Sequence, residues 1–177
     1  MVDEVMFASG SEEWGTPRGL IAALERLFGP FDLDPCCRLR EFAKAPTFYS
    51  DGGLERPWGE NTFCNPPWSK KKPIDPWVEK ASRSRSTMLI PARTDTRWFR
   101  KCFERAAAIA FISGRLRYEI LETADERLVR HAAAAAKGDK ASDGTTAPFP
   151  SCIVHFDPRY KGSPNVGLMS TTGELLV

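Results

Sequence analysis

Short apolar runs alternate with helix-like segments in the middle of this chain, and that alternation restricts the fold more than any other feature. The run "TMLIPA" (87–92) precedes the amphipathic segment "TRWFRKCFERAAA" (96–108), and the apolar run "IAFI" (109–112) follows it. Buried strands joined by crossover helices have this appearance, because a parallel sheet is covered on both faces. The pattern predicts an α/β domain with a mostly parallel sheet and helices on both faces.

Caps and apolar stripes predict two more helices and fix which side chains face the core. Residues 17–28 have Pro17 at the expected first helical position, with Thr16 as N-cap. Asp75 is expected to cap a helix whose first residue is Pro76. The predicted apolar faces are Leu20, Ile21, Leu24, Leu27 and Phe28 on the first helix, and Trp98, Phe99, Cys102, Phe103 and Ala106 on the helix over 96–108.

Two short strands are predicted to end directly in polar residues and prolines. The run "FDLD" (31–34) is closed by Pro35, and the run "NTFC" (61–64) is closed by Asn65-Pro66-Pro67. Ligands bind at the carboxyl ends of the strands in open α/β sheets. We therefore expect these two strand exits to lie along one edge of the sheet.

Length and composition fit one globular domain, residues 1–177, with 42% hydrophobic and 27% charged side chains. An insertion is expected at about 120–147, where the alanine-rich stretch 120–137 predicts a helix and 138–150 a mobile loop. After it, "CIVHF" (152–156) predicts a late strand, and the C-terminal tail predicts an edge strand or hairpin.

Charge and cysteine usage exclude several classes of protein. The net charge of +2 is too small to identify a nucleic-acid partner by itself. No run approaches the roughly 18 apolar residues of a membrane span, and the acidic start lacks the features of a signal peptide, which favours a cytoplasmic protein. The five cysteines form no CxxC pair, so reduced thiols and no metal site are expected. Cys152-x-x-His155 falls within a predicted strand and is interpreted as structural.

The segment Asn65-Pro66-Pro67-Trp68 has the chemistry of a site for a planar NH₂ group. Neither proline has an N–H, and Pro67 holds Pro66 extended, so the Pro66 carbonyl is presented rigidly. The Asn65 amide oxygen is a second acceptor beside it, and two acceptors match the two hydrogens of an amine. Trp68 offers a flat face of the kind that stacks on nucleobases. A proline-rich turn with a buried tryptophan is the alternative interpretation.

The chain resembles the amino-directed methyltransferases with a [DNS]-P-P-[YFW] motif, and more closely the small phage-type DNA N6-adenine methyltransferases. The segments that carry the resemblance span nearly the whole chain and occur in the same order as in that family. It rests on "EWGTP" (13–17), "FGPFDLDPC" (28–36), "AKAPTFYS" (43–50), "DGGLERPW" (51–58), "FCNPPWS" (63–69), "WVEKA" (77–81), "PARTDTRWF" (91–99), "GRLRY" (114–118) and "APFPS" (147–151).

The resemblance implies a Rossmann-like methyltransferase fold, S-adenosylmethionine as the cofactor and adenine N6 in DNA as the acceptor. It implies that Asn65 and Pro66 accept hydrogen bonds from the target amine, with Pro67 fixing the turn and Trp68 stacking on a base flipped out of the duplex. These four residues are the expected catalytic group.

The resemblance also implies a cofactor pocket. Asp34, in Asp34-Pro35-Cys36, is expected to accept from the methionine ammonium, although no G-x-G follows it as in the commoner methyltransferase loop. Asp51 is a candidate for the adenosyl end, with an Asp-Gly turn as the alternative. The element Trp14-Gly15-Thr16-Pro17 is expected to join the pocket, although a helix cap alone also explains Thr16.

Six basic residues are candidates for DNA contact. Arg93, Arg115 and Arg117 lie near predicted strand exits, where they can reach phosphate or a guanine edge. Lys70, Lys71 and Lys72 directly follow the expected catalytic motif and are candidates to steer phosphate. For each group, a solvated surface charge is the alternative.

The NPP motif serves several planar amines, so three other acceptors stay open: cytosine N4, RNA and a protein glutamine. A catalytically silent nucleic-acid-binding protein with this fold is the alternative from another class. The intact Asn65-Pro66-Pro67-Trp68 argues against it, because binding alone does not require two convergent acceptors.

Overall fold

The computed structural model of the chain describes residues 14–67, 73–120, 126, 132–134, 144–147 and 149–177. The helices in these residues are α1 (Arg18–Phe28), α2 (Asp75–Ala81) and α3 (Arg97–Arg105). The strands are β1 (Trp14–Gly15), β2 (Leu33–Asp34), β3 (Thr47–Phe48), β4 (Thr62–Cys64), β5 (Ser86–Pro91), β6 (Ala108–Ile112), β7 (Arg117–Ile120), β8 (Gly144–Thr146), β9 (Ser151–Phe156) and β10 (Asn165–Met169).

Within these ranges, the main sheet has seven strands in the order β10-β6-β9-β5-β4-β2-β3. All pairs in it are parallel except those that β9 makes with β5 and β6. The predicted α/β class and mostly parallel sheet are therefore confirmed. The late strand over 152–156 and the edge strand in the tail are confirmed as β9 and β10.

A separate small sheet of the described residues has the order β1-β7-β8, with antiparallel pairs throughout. Strand β8 occupies 144–146, so the loop prediction over 138–150 is wrong there: three residues of that stretch pair with β7. Most of the predicted helix over 120–137 lies outside the described residues, although 126 and 132–134 are helical. Ile120 ends β7 and does not begin that helix.

Helices cover both faces of the main sheet. Successive strand residues point to opposite faces, so neighbouring residues of one strand pack against different helices. Phe63 and Leu89 pack with Leu20 and Leu24 of α1 in one buried cluster. Cys64, Met88 and Ile90 pack on the other face in a second cluster. In that cluster they meet Trp77 and Val78 of α2 and Phe99 of α3.

The apolar stripes are confirmed apart from their edges. Leu27 is 43% exposed and Phe103 is 41% exposed, so the predicted stripes are wider than the buried faces of the two helices. Ala106 is buried but follows the end of α3. No helix in the described part of the chain combines the length and apolar character that crossing a membrane requires.

Two predicted helix caps are wrong. Helix α1 has Pro17 at its N-cap position with no side-chain cap, since the helix starts one residue later than expected and Thr16 bonds elsewhere. Helix α2 starts at Asp75, with Ile74 as N-cap, and the Asp75 carboxylate pairs with Lys101 of α3 at 3.2 Å. Helix α3 has a side-chain cap, because Thr96 Oγ1 accepts from Phe99 N at 3.3 Å.

Candidate active site

The two predicted strand exits lie side by side. Strands β2 and β4 are parallel neighbours with Leu33 opposite Thr62, so Asp34 at the end of β2 and Asn65 just after β4 share the carboxyl edge of the sheet. The expectation that these exits meet is confirmed. Parallel β pairing creates the proximity, because neighbouring parallel strands end on the same side.

A narrow cleft of about 20 Å³ opens between these exits and β1. Its volume is about that of one water molecule. Its walls combine backbone, acidic, basic, amide, thiol and aromatic groups, which come from four separate stretches of the chain. They are Gly15, Thr16, Asp34, Cys36, Cys37, Phe42, Lys44, Phe63 and Asn65.

Asn65 is held from both its side chain and its backbone. Its Nδ2 donates to Thr16 Oγ1 at 3.2 Å, and its carbonyl oxygen accepts from Cys36 Sγ at 3.2 Å. Pro66 is buried and Pro67 half-buried, and both follow β4 without regular structure. Trp68 and the three lysines 70–72 lie outside the described residues, so their predicted roles stay predictions.

Asp34 carries a buried carboxylate. It is 5% exposed, and it accepts from the backbone N–H groups of Lys44 at 3.1 Å and Cys36 at 3.4 Å. Burial raises its pKa from 3.8 to about 6, because desolvation outweighs the two hydrogen bonds and the charge of Lys44. A positively charged group entering the cleft would favour the ionised carboxylate.

Two thiols lie beneath Asp34 and Asn65. The sulfur atoms of Cys36 and Cys64 are 3.6 Å apart, and all five cysteines of the chain are free thiols. Burial raises the pKa of both thiols, that of Cys36 well above its usual value. These thiols are therefore protonated, and they pack the floor of the site as small apolar groups with weak donors.

Lys44 and Glu119 belong to the site, but nothing in the sequence assigned them to it. The Lys44 side chain is 4% exposed, and its Nζ lies 3.1 Å from Glu119 Oε2. Glu119 is on β7, directly opposite Gly15 of β1. The ion pair thus joins the small sheet to the main sheet beside the cleft. A lone Lys within "AKAP" carries no local signal for such a contact 75 residues away.

The turn "DGG" approaches the site through Gly53, whereas Asp51 faces solvent. A Cβ on Gly53 would collide with the Pro35 carbonyl oxygen, so only glycine lets this turn approach so closely. Asp51 pairs with Arg56 at 3.1 Å, and its side chain is 79% exposed. It does not line the cleft described above, and its role toward an adenosyl group stays a prediction.

The three arginines predicted to contact DNA follow, or belong to, three different strands. Arg93 follows β5, the neighbour of β4, and is half-buried. Arg115 is exposed in the connection after β6, and Arg117 is exposed at the first position of β7, opposite Thr146. Arg93 is therefore nearest in the sheet order to Asn65.

The chemistry of the lining suits a ligand with a cationic amino group, since the buried carboxylate of Asp34 and the hydroxyl of Thr16 belong to residues of one cleft. The cleft is far smaller than the roughly 300–1,000 Å³ of a typical small-molecule site. In this conformation, therefore, the cleft has room for about one water molecule and not for a whole cofactor.

A metal site is not formed by the same walls. Among the residues that the structure describes, no group of three or more His, Cys, Asp or Glu side chains is arranged to hold an ion. Cys152 and His155 point to opposite faces of β9, where Cys152 packs with the α2 and α3 side, and His155 Nδ1 lies 2.9 Å from Thr87 Oγ1.

Comparison with known proteins identifies the relatives of this chain. The family model described as DNA N-6-adenine-methyltransferase (Dam) matches residues 6–158. A protein named DNA N-6-adenine-methyltransferase from Escherichia phage T1 is 35% identical over 140 residues. That match covers 74% of this chain, which spans 57% of the length of the phage protein. No solved structure matches the chain.

Proposed function

We propose, because the chain belongs to the DNA N-6-adenine-methyltransferase (Dam) family, that it transfers a methyl group from S-adenosylmethionine to the N6 amine of adenine in DNA. One observation carries the proposal beyond family membership. Asn65-Pro66-Pro67 leaves β4 directly beside the buried carboxylate of Asp34 on β2, so the amide proposed to hold the amine and the carboxylate proposed to hold the cofactor line one cleft.

In this proposal, Asn65 and Pro66 hold the target amine. The adenine N6 lone pair is conjugated with the ring, and two acceptors on its hydrogens favour a pyramidal nitrogen whose lone pair is available for attack. A bound cofactor would supply its methyl group to that lone pair, and the nitrogen would give up a proton to solvent. No strong general base is required, because the methylated nitrogen is acidic while it carries the positive charge.

Asp34 holds the cofactor by its ammonium group, with Pro35 and Cys36 shaping the turn and Trp14-Gly15-Thr16-Pro17 closing the same pocket. Asp51 is assigned to the adenosyl end. When bound, S-adenosylmethionine supplies an electrophilic methyl group on a sulfonium. The buried Asp34 carboxylate supports this assignment, because its desolvation is relieved by a cationic partner.

In contact with double-stranded DNA, Trp68 stacks on the flipped adenine. Arg93, Arg115, Arg117 and lysines 70–72 are assigned to phosphate or base edges. The mostly parallel sheet with helices on both faces supports a Rossmann-like methyltransferase fold. A cytoplasmic location follows from the same proposal, because the substrate DNA is there.

The test is methyl transfer from radiolabelled S-adenosylmethionine to double-stranded DNA, single-stranded DNA and RNA, with the modified nucleoside identified by mass spectrometry. We expect N6-methyladenine in DNA. The Asn65→Ala variant should lose transfer but still bind S-adenosylhomocysteine, whereas Asn165→Ala, on the exposed start of β10, is the matched control and should keep activity. Label on cytosine, or no label on any nucleic acid, would contradict the proposal.

A further inference from the structure

Thr16 occupies a position that helix capping does not explain. It is 2% exposed, yet α1 has no side-chain cap, and Pro17 rather than Thr16 stands at the N-cap position. Its Oγ1 instead accepts from Asn65 Nδ2 at 3.2 Å, a contact that spans 49 residues of chain. The buried hydroxyl is thus directed at the amide of the NPP motif.

A closed set of contacts holds Thr16 in that place. Gly15, the preceding residue, pairs with Glu119 across β1 and β7. Glu119 bonds Lys44 Nζ, and the Lys44 backbone N–H donates to Asp34 Oδ2. These contacts connect Asp34 to Lys44, Lys44 to Glu119, Glu119 to Gly15 and, through the next residue Thr16, to Asn65. They therefore hold β1 against both strand exits.

We propose that Thr16 is a positioning residue that fixes the amide plane of Asn65 for its encounter with the target amine. The torsion about the Cβ–Cγ bond of asparagine has a broad distribution, so an amide without an orienting hydrogen bond samples a wide range of orientations. A hydrogen bond from Nδ2 to a buried hydroxyl restricts that rotation and directs the amide oxygen to the other side. Such preorganisation stabilises the transition state without a rearrangement during reaction.

This inference rests on the proposed function, and it gives the Thr16 hydroxyl the role of orienting Asn65 in place of a direct contact with the cofactor. A positioning residue acts on the chemical step, so its loss lowers kcat while the affinity for cofactor is kept. A residue that contacts the cofactor lowers that affinity when it is removed. The two roles therefore separate in a binding measurement.

The experiment compares Thr16→Val, which has nearly the same shape but no hydroxyl, with Thr16→Ser, which keeps it. Thr62→Val is the matched control, because Thr62 is a fully buried threonine on β4 whose hydroxyl has no hydrogen-bond partner in the described structure. We expect kcat to fall about tenfold or more in Thr16→Val and to be restored within about threefold in Thr16→Ser. S-adenosylhomocysteine affinity and the melting temperature should change little, and Thr62→Val should behave as the wild type.

A second measurement does not depend on activity. The side-chain NH₂ resonances of Asn65, assigned by their loss in Asn65→Ala, should shift and exchange faster with solvent in Thr16→Val but not in Thr16→Ser. Unchanged resonances or unchanged kcat in Thr16→Val would overturn the inference, as would a loss of S-adenosylhomocysteine affinity of tenfold or more. If the wild type transfers no methyl group to adenine, the proposed function fails, and the NMR comparison still decides whether Thr16 orients Asn65.

Discussion

The buried carboxylate of Asp34 should make this protein less stable at neutral pH than its core alone would allow. Asp34 is 5% exposed, and desolvation raises its pKa from 3.8 to about 6 despite two backbone hydrogen bonds. Between these two pH values, the native protein keeps a proton that the unfolded chain has already released. Stability therefore falls as the pH rises through this interval, and the loss is complete at pH 7.

The size of the loss follows from the two pKa values. At about 1.4 kcal/mol per pH unit, the difference between 3.8 and about 6 corresponds to about 3 kcal/mol in the free energy of unfolding. Asp34→Asn removes this penalty but also loses one of the two backbone hydrogen bonds, because the asparagine NH₂ group cannot accept, and this loss costs about 1 kcal/mol. At pH 7 the variant should be about 2 kcal/mol more stable than the wild type, and at pH 4 it should have no advantage.

Urea denaturation of both proteins at several pH values from 7 to 4, followed by circular dichroism, measures this difference. Asp51→Asn on the surface is the control for losing one negative charge. A difference between Asp34→Asn and the wild type that stays constant with pH would refute the desolvation argument. A variant that is least stable at pH 7 would show that the native structure favours the ionised carboxylate.

The same variant separates stability from function. If Asp34 binds the cofactor ammonium, Asp34→Asn should bind S-adenosylhomocysteine more weakly while unfolding at higher urea concentration. Wild-type binding near pH 6 should release protons, because a cationic partner favours the ionised carboxylate. Calorimetry in two buffers of different ionisation enthalpy detects that release.

Two further predictions concern the core and the turn beside the site. His155 is buried against Phe28, and its pKa is lowered from 6.5 to about 4, mainly by desolvation. Between these two pH values, the unfolded chain binds a proton at His155 and the native protein does not. The free energy of unfolding should fall by up to about 3 kcal/mol as the pH drops from 6.5 to 4. Urea denaturation of His155→Gln should not show this pH dependence. If the variant shows the same pH dependence as the wild type, His155 is not its source. Gly53→Ala should destabilise the protein by about 3 kcal/mol, because its Cβ collides with the Pro35 carbonyl. Gly19→Ala, where a Cβ meets nothing within 4 Å, should be neutral or stabilising by up to about 1 kcal/mol, and equal effects of the two glycine variants would contradict the packing argument.

Local patterns predicted the sheet well. Strands β5, β6 and β9 each contain an apolar run, and helices α1 and α3 have an apolar stripe, so each carries its own signal in nearby residues. The exits at Asp34 and Asn65 were also predictable, because Asp34 ends one strand, Asn65 directly follows another, and each precedes a proline.

Long-range contacts were not predictable in the same way. Thr16 before Pro17 has the local signature of an N-cap, but its hydroxyl bonds a side chain 49 residues away. Lys44 and Glu119 are ordinary charged residues until β7 pairs with β1. The direction and place of β9 in the sheet depend on how the whole chain is arranged, which no window of consecutive residues reports.

The place of β9 has a consequence for how the protein is made. Residues 151–156 insert between β5 and β6, so these two strands are connected within the sheet by a strand that is synthesised after both of them. A nascent chain that has reached residue 112 has β5 and β6 but not the strand that pairs with both. Such a chain exposes the unpaired edges of β5 and β6 until β9 has left the ribosome, and exposed strand edges favour aggregation. The sheet is complete only after β10, which ends at Met169, has followed.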